Sequence, residues 1–259
     1  MRIFDAHAHL AGERFREDFP EVLARMRENQ VEFCMLVSDP AEEESDLERA
    51  CALSGELGFP LAVGVHPHNA KAYSPEIERT LAQCVRQGGV CCLGEIGLDY
   101  HYDLSPRETQ RQVLQRQLDL ALEWNLPVQF HIREAHGDAM EILAERRREG
   151  RLPRGVMHCF SGSWETAKFY LHLGLYLSLS GTVTFKNAAK LLEVAKNVPA
   201  DRLFVETDCP YMSPEPMRGR RNEPAFVRYT FERVAALREE NPEAFARRLR
   251  ENFRELYGY

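Results

Sequence analysis

The sequence has no apolar run close to the ~20 residues that a membrane-spanning helix needs. Its longest apolar stretches, such as FCMLV and LYLSLSG, have the length of a strand. Met1 is followed at once by an acidic, histidine-bearing strand, and not by the basic region and apolar segment of a secretory signal. These absences argue against a membrane protein and against secretion, and we expect a cytoplasmic protein.

Paired cysteine spacings are also missing. The chain has seven cysteines, an odd number, and the adjacent Cys91 and Cys92 would point to opposite faces of a strand. This usage is typical of reduced, mostly buried thiols in a cytosolic protein. It argues against a disulfide framework and against a cysteine-based metal site or redox centre.

An excess of positive charge is missing as well. The chain has 33 basic and 40 acidic side chains, for a formal net charge of −7. Because affinity for duplex nucleic acid depends largely on basic residues that displace counterions, this balance opposes strong non-specific binding. An enzyme that acts on one phosphate at a time stays possible, with bound metal ions as the local source of positive charge.

What the sequence does contain is an alternation of short apolar runs and longer amphipathic ones, without a linker or a short repeat. The predicted strands are 2–7, 31–37, 61–66, 90–95, 127–132, 155–159, 175–180 and 202–207. The predicted helices are 16–28, 43–57, 75–87, 107–124, 137–149, 163–173, 186–197, 224–237 and 242–255. We predict one α/β domain over residues 1–259, a (β/α)8 TIM barrel, with an open doubly wound sheet as the alternative.

Polar side chains fall at the carboxyl ends of the predicted strands. In the stretch IFDAHAHL, residues 3–10, alternate side chains share a face, so Asp5, His7 and His9 point the same way. Later strands end in GVHPH, GEIGLDYH, FHIR, MHCFSG and ETDCP. In barrel enzymes this end of the strands forms the active-site face.

Six potential metal ligands stand at these ends: His7, His9, Glu95, His131, His158 and Asp208. Imidazole and carboxylate groups suit Zn²⁺, Mn²⁺ and similar divalent ions. Any one of these histidines could be a hydrogen-bonded core residue. Five strand ends with such groups would need several buried polar groups to be paired independently, at a cost of a few kcal/mol for each failure. We therefore predict a metal centre, with room for two ions if Glu95 bridges them.

The ordered motifs resemble one known family. D-x-H-x-H, G-V-H-P-H, G-E-I-G-L-D-Y, F-H-x-R, H-C-F-S-G, E-T-D-x-P-Y and R-x-x-R-N-E-P are similar to those of the TatD family of metal-dependent hydrolases. These are deoxyribonuclease-like members of the amidohydrolase superfamily. The match runs from Asp5 to Pro224, and residues 225–259 resemble the family only in being helical.

The resemblance implies two divalent cations per chain and phosphodiester hydrolysis, commonly as a 3′-to-5′ exonuclease on DNA. It assigns His7, His9, Glu95 and Asp208 to one ion, and Glu95, His131 and His158 to the other. Where many amidohydrolases bridge their ions with a carboxylated lysine, position 95 is already a carboxylate. The ions can be Zn²⁺, Mn²⁺ or Mg²⁺. The expected partner is DNA, single-stranded or at frayed ends, with no obligate protein partner and no membrane.

Two other functions compete with a nuclease. The same centre activates water for other electrophiles, so a hydrolase of a small phosphoester, lactone or amide is the alternative. A nucleic-acid-binding protein without turnover is disfavoured because all six ligands are present and the chain is acidic. For the nuclease, we expect a hydroxide ion formed between the two cations to attack phosphorus. Asp208 and Glu95 are the predicted catalytic residues, with Asp208 accepting the proton of water.

Further residues are predicted to support the ligands or to contact substrate. Glu206 faces the same way as Asp208 and can orient a histidine ligand. His66 is a candidate donor to a substrate phosphate, and Arg133 a candidate phosphate clamp. His68 reads equally as a loop residue.

The segment 218–224, RGRRNEP, follows the last strand and is expected to rim the site. Arg221 and Asn222 in it are candidate contacts to phosphates or bases, with a loop-holding role as the rival. Tyr100 and His101 can stack a base or a sugar, and Tyr211 can form a pocket wall. The basic segment 146–154 lies at the opposite face and is interpreted as solvated surface.

Overall fold

The computed structural model describes residues 1–42 and 46–259, so the predicted start of a helix at 43–45 lies outside the described residues. Strands β1 to β8 form one sheet in which each strand pairs in parallel with the next along the chain. The strands are β1 Ile3–Ala8, β2 Val31–Ser38, β3 Leu61–Val63, β4 Val90–Asp99, β5 Val128–Arg133, β6 Gly155–Met157, β7 Tyr176–Leu179 and β8 Leu203–Val205.

The two ends of this sheet meet. Beyond the last residue of β8, the Asp208 amide donates to the His7 carbonyl at 3.0 Å, and the His9 amide donates to the Cys209 carbonyl at 2.9 Å. These two bonds continue the parallel pattern between β8 and β1. The sheet is therefore a nearly closed barrel, and the prediction of a barrel is confirmed over that of an open sheet.

Helices connect the strands and cover the outside of the barrel. They are α1 Phe19–Glu28, α2 Leu47–Leu57, α3 Pro75–Gln87, α4 Arg107–Glu123, α5 His136–Arg148, α6 Trp164–His172, α7 Ala189–Asn197, α8 Val227–Arg238 and α9 Pro242–Tyr257. Several begin with a side-chain cap: the Ser74 hydroxyl accepts from the Ile77 amide, and the Asn241 side chain accepts from the Ala244 amide. Such caps satisfy amides that have no partner inside the helix.

The C-terminal helix α9 is bound to the amino-terminal end of the barrel. Phe245, Leu249 and Phe253 recur at helical spacing and are buried. The Asn252 side chain donates to the Leu203 carbonyl at 2.9 Å, directly at the start of β8. Residues 225–259, which resembled the family only in being helical, therefore contribute to the core.

Strand ends differ most from the prediction. β3, β6 and β8 stop two or three residues early, so His66, His158 and Asp208 lie just beyond the regular ladder. β4 is longer than predicted and runs to Asp99. Gly97 allows this longer strand because it has no side chain. A Cβ at this position would lie 1.8 Å from the His131 carbonyl oxygen of β5.

The seven cysteines are free thiols, four buried and three partly buried, as predicted. Among the described residues, no helix has both the length and the apolar composition needed to cross a membrane.

Candidate metal centre

A cavity of about 700 Å³ opens at the carboxyl ends of the strands. The predicted ligands His9, Glu95, His131 and Asp208 line it, together with His66. His7 and His158 lie directly beneath, stacked on each other with ring centroids 3.9 Å apart. Barrel topology thus brings all six predicted ligands, from five different strands, to one place.

Glu95 lies between two pairs of imidazoles. Its Oε2 atom is 3.4 Å from His7 Nε2 and 3.6 Å from His9 Nε2. Its Oε1 atom is 2.6 Å from His131 Nδ1 and 2.8 Å from His158 Nε2. The carboxylate is only 5% exposed. Each of its two oxygens therefore faces a different pair of nitrogen atoms, which is the arrangement that a bridging carboxylate needs.

Each side of Glu95 has one further polar neighbour. Asp208 joins the Oε2 side, with its Oδ1 atom 3.7 Å from His7 Nε2 and 3.5 Å from His9 Nε2. His66 joins the Oε1 side, with Nε2 at 3.5 Å from Glu95 Oε1. His7, His9 and Glu95 form one group with the spacing of metal ligands, and His66, Glu95 and His131 form another.

The second ring nitrogen of three ligands is held by a partner further out. His158 Nδ1 donates to Glu206 Oε1 at 3.0 Å, which is the contact predicted for Glu206. His131 Nε2 donates to Asp99 Oδ2 at 3.0 Å, and His7 Nδ1 donates to Gln129 Oε1 at 2.9 Å. Such partners fix the ring orientation and increase the basicity of the ligand.

The sequence analysis missed Asp99 and Gln129, although a signal for both was present. Asp99 follows Glu95 at an even spacing, and Gln129 precedes His131 by two residues. Since alternate side chains of a strand share a face, each points to the same side as a predicted ligand. Because the predicted β4 ended at residue 95, Asp99 was left in a loop.

Charge is concentrated around Glu95. Burial raises the pKa of this carboxyl group, but the imidazoles of His158, His66 and His131 outweigh burial and hold the pKa well below its usual value. Burial lowers the pKa of His158, whereas the carboxylates of Glu95 and Glu206 raise it further, to well above normal. The space between these groups therefore favours positive charge.

The donor set fits divalent metal ions. Imidazole nitrogens and carboxylate oxygens converge from several strands, and outer partners orient three of the rings. The buried carboxylates favour positive charge in the space between them, and metal cations would supply that charge. The residues present thus match the chemistry of a centre that binds metal.

Asp5 shares a face with His7 and His9 but has a different role. It is fully buried, and its Oδ1 atom accepts from the Thr207 amide at 2.8 Å and from the His7 amide at 3.2 Å. Its other oxygen accepts from the Thr207 hydroxyl. Burial raises the pKa of Asp5 well above its usual value, against these hydrogen bonds. Asp5 therefore joins β1 to the segment after β8.

His66 is arranged as a hydrogen-bond donor. Its Nδ1 atom accepts from the His68 amide at 3.2 Å, so in the neutral ring the proton lies on Nε2. Burial, with help from His131 and His68, lowers the pKa of His66 to about 4, against the opposing effect of Glu95. The ring is therefore neutral near pH 7, with its N–H at the cavity. His68 donates from Nε2 to Asp99 Oδ2 at 2.9 Å, so it is a fixed part of the site.

The aromatic residues after β4 are arranged differently from the prediction. The Tyr100 hydroxyl donates to Asp138 at 2.6 Å, and the Arg107 guanidinium lies 4.4 Å from its ring centroid. Tyr100 is therefore not a stacking surface of the cavity. Tyr102, which was not predicted, lines the cavity instead, and Arg133 lies 4.7 Å from its ring centroid. Arg133 and Tyr211 also line the cavity, consistent with their predicted location.

The two residues predicted after β8 are engaged inside the protein. Arg221 forms two hydrogen bonds to Asp18, at 2.8 and 2.7 Å, and its guanidinium lies over the Phe15 ring. Asn222 is 0% exposed and donates to the carbonyls of Thr207 and Tyr211 at 2.9 and 2.5 Å. The structure corrects the prediction of a substrate contact for Asn222, because its amide is used to hold the loop. The hydrogen bonds of Arg221 to Asp18 favour the rival loop-holding role, and its contact with substrate stays a prediction.

The basic segment 146–154 is only partly surface. Arg147 and Arg148 are exposed, as expected for a solvated face. Arg146 is buried and donates to Asp119 at 2.8 Å and to the Gln115 carbonyl at 2.8 Å. The interpretation as solvated surface is therefore wrong for Arg146, which joins α5 to α4.

Comparison with known proteins places the chain among related sequences of similar length. The family model described as TatD-related DNase matches residues 4–258. The Bacillus subtilis (strain 168) protein named uncharacterized metal-dependent hydrolase YabD is 40% identical over 256 residues, covering 98% of each chain. The Pantoea ananatis protein named 3′-5′ ssDNA/RNA exonuclease TatD is 34% identical, covering 99% of each. The crystal structure of YJJV, a TatD homologue from Escherichia coli K12, superposes with a TM-score of 0.91 at 29% identity, covering 100% of this chain and 98% of the other.

Proposed function

The chain belongs to the TatD-related DNase family of metal-dependent hydrolases, and on that premise we propose that it removes nucleotides from the 3′ ends of DNA. The observation that carries the proposal is Glu95, whose two oxygens each face a separate pair of imidazoles. A relative 34% identical over nearly the full length bears the name of a single-strand exonuclease. We expect the protein to act in the cytoplasm.

Two divalent ions are the proposed cofactors. His7, His9 and Asp208 would hold one with Glu95 Oε2, and His131 and His158 would hold the other with Glu95 Oε1. When bound, such a pair lowers the pKa of a water molecule and neutralises charge on a phosphate. The chain's own contribution is to hold six ligand side chains, which come from five strands, close together at one end of the barrel.

Asp208 is the proposed proton acceptor. It is nearly buried at the floor of the cavity, and its Oδ1 atom lies within 3.7 Å of the imidazoles of His7 and His9. These imidazoles, together with His158, outweigh burial and hold the pKa of Asp208 below its usual value. The group is therefore ionised near neutral pH and can take the proton of the attacking water.

Two residues are proposed to bind the substrate phosphate. The neutral ring of His66 presents its Nε2–H to the cavity and can donate to a phosphate oxygen. Arg133 lines the same cavity on the β5 side and can donate two parallel hydrogen bonds to a phosphate. A neutral substrate would offer neither His66 nor Arg133 a negatively charged oxygen. Their presence therefore favours a phosphodiester over a lactone or an amide as substrate.

The test is a 5′-labelled single-stranded oligonucleotide, incubated with the purified protein and Mn²⁺, Mg²⁺ or Zn²⁺. We expect a ladder that shortens from the 3′ end, its loss with EDTA, and two metal ions per chain by elemental analysis. Cleavage that resists the chelator would contradict the proposal. Turnover of a small phosphoester, lactone or amide without any strand cleavage would favour the alternative function.

The variant Asp208→Asn tests the proton acceptor. It should lose most strand cleavage while keeping the melting temperature of the parent. Asp201→Asn is the matched control, because Asp201 lies just before β8, at the opposite end of the same strand, and is exposed. Full turnover by Asp208→Asn would exclude the proton-acceptor role.

A further inference from the structure

Exposed apolar side chains are concentrated at the mouth of the metal centre. In the described part of the chain, six large hydrophobic side chains are exposed: Met1, Tyr102, Leu104, Leu122, Tyr211 and Tyr259. Three of them, Tyr102, Leu104 and Tyr211, line the one cavity that holds the candidate ligands. Tyr102 is 54% exposed and Tyr211 is 47% exposed. Aromatic rings are costly to expose to water, so their grouping around a site indicates ligand contact.

Each of the two tyrosines is accompanied by an arginine. The Arg133 guanidinium lies 4.7 Å from the centroid of Tyr102, and the Arg14 guanidinium lies 5.6 Å from that of Tyr211. Both arginines also line the cavity. A ring beside a guanidinium offers a stacking surface next to a donor for phosphate.

The two rings lie on opposite sides of Glu95. Tyr211 contacts His9, a candidate ligand on the Oε2 side, with ring centroids 6.1 Å apart. Tyr102 lies 5.4 Å from His68, and His68 lies 6.1 Å from His131 on the Oε1 side. A chain that crosses the centre would therefore meet one tyrosine before it and one after it.

Hydrogen bonds hold both tyrosine-bearing turns to the centre. Asp99 Oδ1 accepts from the Tyr102 amide at 2.9 Å, while its Oδ2 accepts from His131 at 3.0 Å. The Tyr211 amide donates to the Asp208 carbonyl at 3.0 Å, and Asn222 donates to the Tyr211 carbonyl. The backbone that carries each ring is thus held by a short path to a candidate ligand, as a specificity element requires.

We propose that Tyr102 and Tyr211 are base-stacking platforms that hold two adjacent nucleosides, one on each side of the phosphodiester at the centre. This inference rests on the proposed function and assigns to two side chains the recognition of an unpaired strand end. Bases in a duplex are already stacked and paired, so only unpaired nucleotides can present a face to both rings. Because every base has such a face, the platforms select single strands with little sequence preference.

The charge of the cavity agrees with binding by stacking. Arg14 and Arg133 are the arginines among the described lining residues, and no lysine is among them, while Glu13 and Glu42 add negative charge. Two phosphate contacts on a single strand give a log–log salt dependence with a slope of about −1.4. We therefore expect a shallow salt dependence for strand binding.

The experiment compares three oligonucleotides that differ only at the 3′ end: one intact, one with an abasic terminal residue, and one with an abasic penultimate residue. Each is digested by the parent protein and by Tyr102→Ala, Tyr102→Phe, Tyr211→Ala and Tyr211→Phe. Tyr259→Ala is the matched control, because Tyr259 is an exposed tyrosine that contacts Phe33 and Phe253 at the far end of the barrel.

On the intact strand, each alanine variant should lose about 5- to 150-fold in kcat/KM, the range expected from the loss of one stacked base. The phenylalanine variants should stay close to the parent. Each alanine effect should disappear on one of the two abasic strands and persist on the other, because each ring holds one base. A variant that misfolds is recognised by a lowered melting temperature, so the digests compare only variants that melt with the parent.

The inference is overturned if the parent cleaves intact and abasic strands equally, or if the alanine variants lose the same factor on every strand. In either case cleavage itself persists, and the proposed nuclease function stands. If the parent cleaves none of the three strands, the proposed function and the inference fail together. The two failures are therefore distinguishable within one set of digests.

Discussion

The two sides of Glu95 are built differently. On the Oε1 side, His131 and His158 lie within 2.8 Å of the carboxylate, and Asp99 and Glu206 stand behind them. On the Oε2 side, the imidazoles are 3.4–3.6 Å from the carboxylate, and the outer partner of His7 is a neutral amide from Gln129.

The difference concerns where negative charge is placed. The Oε2 side has its extra carboxylate, Asp208, directly beside the imidazoles. On the Oε1 side, the extra carboxylates are Asp99 and Glu206. They accept hydrogen bonds from the outer ring nitrogens of His131 and His158. Asp99 and Asp208 both line the cavity, but Asp99 Oδ2 already accepts from His68 and His131, so Asp208 is the better candidate to accept a proton. If each side holds an ion, we therefore expect the Oε2 side to take part in proton transfer and the Oε1 side to retain its ion more firmly.

The largest effect should come from the residue that both sides share. Glu95→Gln removes the negative charge that faces both imidazole pairs, so the binding of both proposed ions should weaken together. We expect strand cleavage to fall by more than the ~100-fold upper range seen for outer partners. Elemental analysis and digestion of the labelled strand measure this. Glu141→Gln, an exposed change on α5, is the control, and loss of a single ion with the other unaffected would show that Glu95 does not bridge.

The next effect separates the two sides. Glu206→Gln and Asp99→Asn should each weaken metal binding on the Oε1 side by about 10- to 100-fold, because each replaces a charged partner of a histidine ligand. Gln129→Leu, on the Oε2 side, should cost less because the lost partner is neutral. Half-saturation of activity in a Mn²⁺ titration after chelation measures all three. A larger loss for Gln129→Leu would break the comparison.

The smallest effect concerns the loop that holds Asp208 from outside. The hydrogen bonds from Arg221, with help from Arg25, hold the pKa of Asp18 at about 2, against the opposing effect of burial. Since the folded-state pKa is below the ordinary value of 3.8, this ion pair stabilises the fold above about pH 4, and the stability is lost as pH falls towards 2.

Asp18→Asn should therefore lower the melting temperature slightly at pH 7 and not at pH 2. Both side chains are partly exposed, at 30% for Arg221 and 36% for Asp18, so solvent screening keeps the effect small. Thermal melts across this pH range, with Asp201→Asn as the control, provide the measurement. An equal difference between parent and variant at both pH values would show that the ion pair contributes nothing through charge.

Periodicity explains which parts of the site were predictable from sequence. Alternation along β1 and the position of each strand end were sufficient to group His7, His9 and the other candidate ligands. The same rule, applied four residues beyond Glu95 and two residues before His131, would have found Asp99 and Gln129. The presence of each strand was predictable because an apolar run is visible in the local sequence. The residue at which a strand ends depends on its pairing with the neighbouring strands, which the local sequence does not show.

The rim was not predictable in the same way. Tyr100 and Tyr102 look alike in the sequence, but Tyr100 is engaged by Asp138 and Arg107, and Tyr102 is the one of the two that lines the cavity. Asn222 was taken for a substrate contact because it follows β8, yet the loop folds back and buries it. No periodic pattern specifies such a loop, since its path depends on contacts with distant residues such as Thr207.

Asp99 accepts from a candidate ligand with one oxygen and from the Tyr102 turn with the other. Any shift of this side chain is therefore shared by the rim and the floor of the site. By thermodynamic reciprocity, an oligonucleotide docked on the ring should raise the affinity of the site for a cation near His131, and the bound cation should tighten docking by the same factor. Equilibrium titration with Mn²⁺, with and without an uncleavable phosphorothioate strand, would reveal this coupling, and Asp99→Asn should abolish it.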